Sequence, residues 1–430
     1  MTDKRIAILG AGPAGISAAY HLKQLGYDAT VYEKRDDFGG LCGSFKIGDY
    51  RFDRFAHMTF SKDPVVNGLL ELQTECIAHT PEAYNFYQGK WVRNPVQNNL
   101  IGLNVEERIK VIEGFLNRPI IDNPQNYKDW LRKSYGDYFA DNFPSRYTRK
   151  YWTVEPEQLE TEWVRNRMYV PDIREVLRGA MTEETPNVHY SKEMHYPVNG
   201  GFRGFMEPLV KDISISYEHC VDKIDIKSKR LAFSNGVETE YDEIISTLPI
   251  SDVPQMIDDL PQDVCEAANK LDYTSGYMIS LGFNREIDFP CVWFYIYDED
   301  ILPARIYFSN KKSPDNVPEG CSALQAEVYV SKYKEINMSS EELKDKVIEE
   351  LLKLKLFTMD DIAISDIRFE KYANIMFTPA IYEARDLVKE YLNNNGVILA
   401  GRFGEWDYLW LEQSLLSGKH AAEIVMERMK

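Results

Sequence analysis

The first fifty residues carry the clearest alternation of hydrophobic and polar positions in the chain. Residues 5–9 form a short apolar run rich in β-branched side chains, which is typical of a buried parallel strand. A glycine-rich turn and a helix with one apolar face follow, and Gly26 closes that helix. A second strand is predicted over Ala29–Glu33. This order of strand, turn, helix and strand predicts a βαβ unit.

The rest of the chain changes pattern several times. From about Asn67 to Met168 the period is mostly helical, most clearly over Val105–Asn117 and Tyr127–Tyr138. Residues 221–248 alternate like strands. Four later segments predict an antiparallel sheet, namely Tyr277–Phe283, Cys291–Tyr297, Ala304–Phe308 and Leu324–Val330. A helix over Ser340–Leu356, a strand over Gly396–Gly401 and a helix from about Leu411 complete the pattern.

The composition limits which binding partners and which cellular compartment are expected for the protein. A net charge of −18 argues against non-specific binding to nucleic acid or to an anionic membrane. The six cysteines are scattered without a CxxC pair, which predicts reduced thiols in a cytoplasmic protein. The seven histidines show no metal-like spacing, so no metal is expected. No apolar stretch approaches the roughly 20 residues that span a bilayer, and no pattern specifies an oligomeric state.

The turn after the first strand has the spacing of a dinucleotide-binding site. Gly10, Gly12 and Gly15 form GxGxxG, and Glu33 ends the next strand roughly 20 residues further on. The glycines let backbone N–H groups approach a pyrophosphate at the helix N-terminus. Glu33 can accept both ribose hydroxyls, and an acidic residue there disfavours a 2′-phosphate. The ligand is therefore predicted to be FAD or NAD rather than NADP.

Three further segments favour FAD. Phe38–Ser44, Ile245–Pro249 and Ala400–Arg402 resemble segments of the flavin amine-oxidase superfamily, which includes the protoporphyrinogen oxidases. The resemblance implies a tightly bound FAD. The expected cofactor contacts are Gly10, Gly12, Ala14, Gly15, Glu33, Lys34, Gly40, Leu41, Ser44, Val221, Gly401, Arg402, Gln413 and Ser414.

The predicted fold class is α/β, with a discontinuous FAD-binding Rossmann-type domain, a helical domain and an antiparallel β-sheet substrate domain. Strand-to-glycine turns near both ends of the chain, without a low-complexity linker between them, predict that the cofactor domain is assembled from separate pieces. Its expected parts are 1–66, 191–262 and 378–430, with a mainly helical domain over 67–190 and the sheet domain over 263–377.

The middle and end of the chain resemble the eukaryotic-type UDP-galactopyranose mutases of that superfamily. Arg54–Ser61 is similar to their histidine loop, and Gln88–Asn99 to a segment that ends in Gln-Asn-Asn. Tyr151–Pro171 and Cys291–Asn310 are similar to the two segments that carry substrate arginines. Gly401–Tyr408 is similar to their terminal Gly-Arg-Phe-Gly-x-Trp-x-Tyr motif. The likeness runs in order through nearly the whole chain.

This resemblance implies an isomerase that uses a redox cofactor without net redox. In that family, N5 of reduced FAD attacks the anomeric carbon and displaces UDP, and the N5–sugar adduct lets the ring open and reclose. The expected reaction interconverts UDP-galactopyranose and UDP-galactofuranose, or a closely related nucleotide sugar, for furanose-containing surface glycans. NADH and NADPH are candidate reductants. Arginines can neutralise the departing diphosphate through paired hydrogen bonds, and phenols can donate to its oxygens.

The resemblance also assigns roles to particular residues. Arg167 and Arg305 are expected at the diphosphate, with Tyr295 and Tyr408 as hydroxyl donors and His57 tuning the flavin. Other expected substrate contacts are Gln97, Asn98 and Trp163. Each has a plainer alternative, because arginines often stack on tryptophan at surfaces, tyrosines are good strand formers, and a histidine can be purely structural.

Two positions depart from the family pattern, and other functions stay open. Asn94 stands where an aromatic residue near the uridine is usual, and Met376 where a tyrosine reaches the diphosphate. A deoxy or N-acetyl pyranose is therefore also considered as the sugar. The main alternative function is an FAD-dependent oxidase or desaturase of the amine-oxidase type. Such enzymes often use a lysine–water pair beside N5, for which no lysine stands out. A flavin-free binding module is the third reading.

Overall fold

The computed structural model describes residues 4–71, 73–164, 167–188 and 191–429. Its helices are α1 Pro13–Gln24, α2 Pro64–Leu69, α3 Val105–Leu116, α4 Tyr127–Tyr135, α5 Asp137–Asn142, α6 Pro144–Tyr151, α7 Ile173–Met181, α8 Glu207–Val210, α9 Gln262–Ala268, α10 Ser309–Lys312, α11 Ser340–Leu352, α12 Ile381–Asn394, α13 Gly401–Gly404 and α14 Leu411–Met429. Its strands are β1 Ile6–Leu9, β2 Ala29–Tyr32, β3 Ser44–Ile47, β4 Tyr50–Asp53, β5 Cys76–His79, β6 Ala83–Tyr87, β7 Lys90–Arg93, β8 Met194–Pro197, β9 Ser214–Ser216, β10 Val221–Asp225, β11 Arg230–Phe233, β12 Glu238–Glu240, β13 Glu243–Ser246, β14 Tyr273–Phe283, β15 Trp293–Ile296, β16 Arg305–Phe308, β17 Ser322–Val330, β18 Ile362–Ile375 and β19 Val397–Leu399.

A parallel five-stranded sheet forms the first layer, in the order β19-β13-β1-β2-β9. Its central strand β1 is buried along its whole length, as its apolar sequence predicts. Helices α1 and α14 cross closely, since a Cβ on Gly418 would lie 2.1 Å from the Ala14 carbonyl oxygen. Because the five strands come from distant parts of the chain, the discontinuous Rossmann-type fold is confirmed.

A seven-stranded sheet forms the second large layer, in the order β18-β14-β17-β16-β15-β6-β7. The four predicted antiparallel segments become β14, β15, β16 and β17. The pattern did not predict β18, whose outer half alternates between partly buried and exposed side chains at the sheet edge. Strand β15 also pairs with β6 in parallel, so this sheet is mixed rather than purely antiparallel.

The helical prediction for residues 67–168 is wrong over its first third, which contains β5, β6 and β7. Strands β6 and β7 form a hairpin whose turn residues Gln88 and Gly89 have φ of 49° and 74°. Aromatic side chains alternate on this hairpin, and Trp91 packs against Phe294 on β15 and against Phe289 in the connection before β15. The hairpin therefore belongs to the sheet layer, while the domain boundaries themselves stay a prediction.

The helices α3 to α7 pack around a core rich in aromatic residues. The predicted helix Tyr127–Tyr138 is broken at Gly136, which has φ of 82°. A Cβ there would lie 2.1 Å from the Gly114 carbonyl oxygen, so the glycine permits close contact with α3. In the part of the chain that the structure describes, no helix is both long enough and apolar enough to cross a membrane.

Candidate active site

One cavity of about 1300 Å³ is lined by residues of the parallel sheet, the helical layer and the seven-stranded sheet. Pockets for a single small ligand are typically about 300–1,000 Å³. This cavity therefore has room for a dinucleotide and a second ligand side by side.

The glycines of the first turn form one end of the cavity. At Gly12, where φ is −77°, an added Cβ would meet no atom of the described residues within 4 Å. At Gly10, with φ of 98°, the Cβ would lie 2.5 Å from the Thr247 hydroxyl oxygen, and at Gly15 it would lie 2.0 Å from the Gly10 carbonyl oxygen. Gly10 and Gly15 thus shape the turn, whereas Gly12 leaves open space where a pyrophosphate fits at the N-terminus of α1.

Glu33 faces the same end of the cavity and is 7% exposed. Its Oε2 accepts a hydrogen bond of 2.8 Å from the Ala11 N–H, and its Oε1 accepts one of 3.0 Å from the Arg35 N–H. The glycine turn thereby fixes the carboxylate beside the space left at Gly12. This arrangement fits the adenosine ribose and the pyrophosphate of FAD.

Most of the expected cofactor residues lie in the cavity wall. Those that line it are Gly10, Gly12, Ala14, Glu33, Lys34, Gly40, Leu41, Val221, Gly401, Arg402 and Ser414. Gly15, Ser44 and Gln413 are not in the wall. The Ser44 hydroxyl donates to Asp53 at 2.7 Å, and the Gln413 Oε1 accepts from the Trp410 N–H at 2.7 Å. Both side chains therefore bond to neighbouring residues and do not line the cavity.

Two arginines meet on the ring of Tyr408 in the cavity wall. The Cζ atoms of Arg167 and Arg402 lie 4.3 Å and 4.6 Å from the centroid of that ring. Arg167 Nη2 also donates to the Tyr408 carbonyl oxygen at 2.6 Å. Stacking of this kind holds a guanidinium by its face and leaves its N–H edge available for hydrogen bonds.

Arg305 is positioned by the seven-stranded sheet. Tyr295, Arg305 and Glu327 stand directly opposite one another on β15, β16 and β17, so their side chains share one face of the sheet. Arg305 donates from Nε and Nη2 to the two carboxylate oxygens of Glu327, at 2.8 Å and 3.0 Å. Burial opposes the charge of Arg305, but Glu327 keeps the pKa of the guanidinium above its usual range.

Several tyrosines line the cavity together with Arg305. Trp293 Nε1 donates to the Tyr295 hydroxyl at 3.1 Å, and the Tyr147 ring meets the Tyr295 ring edge-on at 5.4 Å. The Tyr151 hydroxyl donates to Asn374 Oδ1 at 2.9 Å. Sequence reasoning did not assign Tyr147 or Tyr151 to the site, although their spacing of four residues on α6 places them on one helix face.

The remaining expected substrate residues are divided between the wall and the core. Gln97 and Trp163 line the cavity, and Gln97 Nε2 donates to the Tyr169 carbonyl oxygen at 2.9 Å. Asn98 is 1% exposed and lies outside the wall, with its Oδ1 accepting from Asn99 Nδ2. Of the two departures from the family pattern, Asn94 lines the cavity, whereas Met376 is fully buried elsewhere.

His57 lies in the wall on the loop after β4. Its Nδ1 is 3.0 Å from the Phe55 carbonyl oxygen, which can only accept, so Nδ1 carries the proton and Nε2 is an acceptor. The imidazole stacks on Phe202 with a ring separation of 5.2 Å. Burial lowers the pKa of His57 to about 4, so the ring is neutral at physiological pH.

A buried ion pair lies at the end of β4, next to this loop. The Lys312 ammonium donates to Asp53 Oδ2, and the two side chains are 2% and 1% exposed. Asp53 also accepts from the Tyr196 hydroxyl and the Phe202 N–H. Burial alone would raise the pKa of Asp53, but Lys312 and the hydrogen bonds hold it below its usual value. Lys312 lines the cavity, and sequence reasoning did not identify it.

The comparisons with known proteins agree with this geometry. The family model for flavin containing amine oxidoreductases matches residues 13–426. The chain belongs to this family. It is therefore a flavoenzyme, and FAD is the cofactor that the family and the fitted glycine turn indicate.

A solved structure covers almost the whole chain. A reduced UDP-galactopyranose mutase is 25% identical, with a TM-score of 0.92, and the match covers 99% of this chain and 96% of the other. The resemblance to that family is thus present in the fold as well as in the motifs.

The curated relatives match only short segments. A 1-hydroxycarotenoid 3,4-desaturase from Flavobacterium sp. (strain P99-3) is 46% identical over 50 residues, which are 12% of this chain and 10% of the desaturase. Protoporphyrinogen oxidase 2 from Arabidopsis thaliana is 35% identical over 71 residues, which are 16% of this chain and 14% of the oxidase. These matches therefore do not extend to the whole length of either relative.

Proposed function

We propose that the protein is a flavin-dependent mutase that interconverts the pyranose and furanose forms of a UDP sugar. One observation carries the proposal. Arg167, Arg305, Tyr295 and Tyr408 come from three separate segments and line the same cavity, which is also lined by the turn at Gly12. A protein of net charge −18 that binds a nucleotide diphosphate needs such a local concentration of cations.

The chain's own residues supply binding and charge stabilisation for this reaction. Reduced FAD, when bound, would supply the nucleophile for the anomeric carbon. Arg167 and Arg305 would neutralise the departing diphosphate, and Tyr295 and Tyr408 would donate hydrogen bonds to its oxygens. Because the negative charge on the leaving group grows in the transition state, these contacts would lower the barrier as well as bind the substrate. Neutral His57 would present Nε2 as an acceptor without adding charge.

UDP-galactose is the first substrate to test, because the likeness to UDP-galactopyranose mutase extends over the whole fold. A deoxy or N-acetyl pyranose nucleotide is the second choice. Asn94 places an amide in the cavity wall, which would favour a ligand with a hydrogen-bonding group at that point. Met376 is buried away from the cavity and would not contact the substrate.

The test is anaerobic incubation of dithionite-reduced protein with a panel of UDP sugars, followed by separation of pyranose and furanose products. We expect exchange with the reduced protein, none with the oxidised protein, and no net oxidation. NADH and NADPH would then be tried in place of dithionite.

The alternative function is an oxidase or desaturase of the amine-oxidase type. The observation that favours it is Lys312, a lysine in the cavity wall, although its ammonium is bound to Asp53. Turnover by the oxidised protein with stoichiometric hydrogen peroxide would establish the oxidase and exclude the mutase.

A further inference from the structure

Trp410 lies beside Arg167 in the cavity wall, immediately before α14. The Cζ atom of Arg167 is 4.8 Å from the centroid of the indole ring. The same atom is 4.3 Å from the Tyr408 ring, so two aromatic rings contact one guanidinium. Arg167, Tyr408 and Trp410 all line the cavity.

Trp410 is itself held from two directions. Its backbone N–H donates to the Gln413 Oε1 at 2.7 Å, which fixes the segment at the start of α14. Its indole meets the Phe60 ring edge-on, with the ring centroids 4.9 Å apart and an interplanar angle of 77°. Phe60 belongs to the loop that carries His57, so the indole lies between that loop and Arg167.

Aromatic stacking suits an arginine that must bind an anion. The rings attract the guanidinium through its planar face, whereas phosphate oxygens bind the N–H groups along its edge. The two interactions therefore do not compete for the same atoms. A long side chain that is already ordered before the ligand arrives loses less conformational entropy on binding.

We propose that Trp410 is a positioning residue for Arg167, and that its indole orders the guanidinium in the place from which it binds the diphosphate of the substrate. This inference rests on the proposed function for the identity of the ligand. The position of Arg167 itself can be tested separately.

The first experiment is titration of the reduced protein with UDP in the parent, Trp410→Leu and Trp410→Phe. A cation–π contact at a partly desolvated site is worth about three- to thirtyfold in affinity. We expect Trp410→Leu to weaken UDP binding by about that factor, and Trp410→Phe to recover most of the loss because a ring is restored. Trp130→Leu is the matched control, since Trp130 does not line the cavity, and it should bind UDP like the parent.

A double-mutant cycle separates positioning from an independent contact. In the Arg167→Ala background, Trp410→Leu should cause no further loss of UDP affinity, because the indole would have no guanidinium left to order. FAD content and melting temperature would be recorded for each variant to identify misfolding. Additive losses in the double variant, or parental affinity in Trp410→Leu, would overturn the inference.

Crystal structures of the parent and Trp410→Leu distinguish this inference from the proposed function. If the parent does not bind UDP, the mutase proposal is wrong, but the two structures still report on Arg167. We expect the guanidinium to stay ordered beside the indole in the parent and to leave that place in Trp410→Leu. An unchanged Arg167 in Trp410→Leu would show that the indole does not position it.

Discussion

Arg305 and Glu327 stand opposite each other on β16 and β17 and are joined by two hydrogen bonds, although Glu327 is completely buried. The same carboxylate accepts from the Ala56 N–H at 3.1 Å and from the Tyr329 hydroxyl at 2.7 Å. Glu327 therefore connects the arginine to the loop that carries His57.

Replacing this carboxylate should leave the Arg305 charge buried without its counter-ion. We expect Glu327→Gln to lower the free energy of unfolding by about 3–5 kcal/mol, measured by urea denaturation. Glu299→Gln is the matched control, because Glu299 pairs with Arg149 near the surface. That exposed pair should contribute less than about 1 kcal/mol. Equal losses of unfolding free energy in the two variants would mean that the buried pair contributes no more to stability than the exposed pair.

The two arginines should account for much of the affinity for UDP. Losing a charge-assisted contact to a desolvated phosphate costs about 1.5–3 kcal/mol, or roughly ten- to a hundredfold. Arg167→Ala should weaken UDP binding by that factor, as measured by calorimetry, and leave the FAD content unchanged. Arg305→Lys keeps a cation beside Glu327 and should retain only part of the affinity, because lysine lacks the paired donors of the guanidinium.

Arg149→Ala is the control for both arginines, since Arg149 is outside the cavity wall. It should bind UDP like the parent. If both cavity variants bind UDP as tightly as the parent, the proposal of a nucleotide-sugar substrate is wrong, and the protein is still a flavoenzyme.

Gly12→Val should abolish FAD retention while the protein still folds. The backbone at Gly12 is not strained, with φ of −77°, and a Cβ there meets no described atom within 4 Å. The new side chain would therefore fill the cavity where the pyrophosphate fits rather than disturb the protein. The measurement is flavin absorbance per protein, together with circular dichroism.

Gly68→Val offers a matched control, because a Cβ at Gly68 on α2 also meets no described atom within 4 Å and Gly68 does not line the cavity. This variant should keep its flavin. A fully yellow Gly12→Val protein would show that the cofactor does not approach this turn.

His57 should make stability depend on pH. Burial lowers its folded pKa from 6.5 to about 4, so between these values the unfolded chain binds the proton more tightly than the folded protein. The contribution of His57 to stability should therefore be complete above pH 6.5, fall as the pH drops, and change no further below about 4. His57→Gln should show a smaller loss of unfolding free energy between pH 7 and pH 4.5 than the parent. An identical loss would mean that the imidazole is not held neutral by burial.

The cofactor end of the molecule could be predicted from the sequence because its signals are local. The glycine spacing and Glu33 act within one βαβ unit, so their structure follows from a short segment. Ser44 and Gln413 were expected to contact FAD, but their side chains bond to Asp53 and to the Trp410 backbone. Sequence spacing does not reveal such partners.

The substrate end depends on pairings between distant segments. Glu327 and Lys312 carry no motif. Only the register of β16 with β17 brings Glu327 to Arg305, and only the packing of α10 against the end of β4 brings Lys312 to Asp53. The helical prediction fails over β6 and β7 because their partner strand β15 lies far along the chain, and periodicity alone does not reveal that pairing.

The parallel sheet also sets an order of events during synthesis. Its edge strand β19 and the helix α14 lie more than 380 residues after β1 in the chain. Ser17 on α1 donates to the Leu415 carbonyl oxygen of α14 at 2.6 Å, so the first helix has a partner that is synthesised 398 residues after it. The wall of the cavity is therefore completed only after α14 has been synthesised. A chain that stopped before α14 would have every residue of the glycine turn and still lack part of the wall that encloses it.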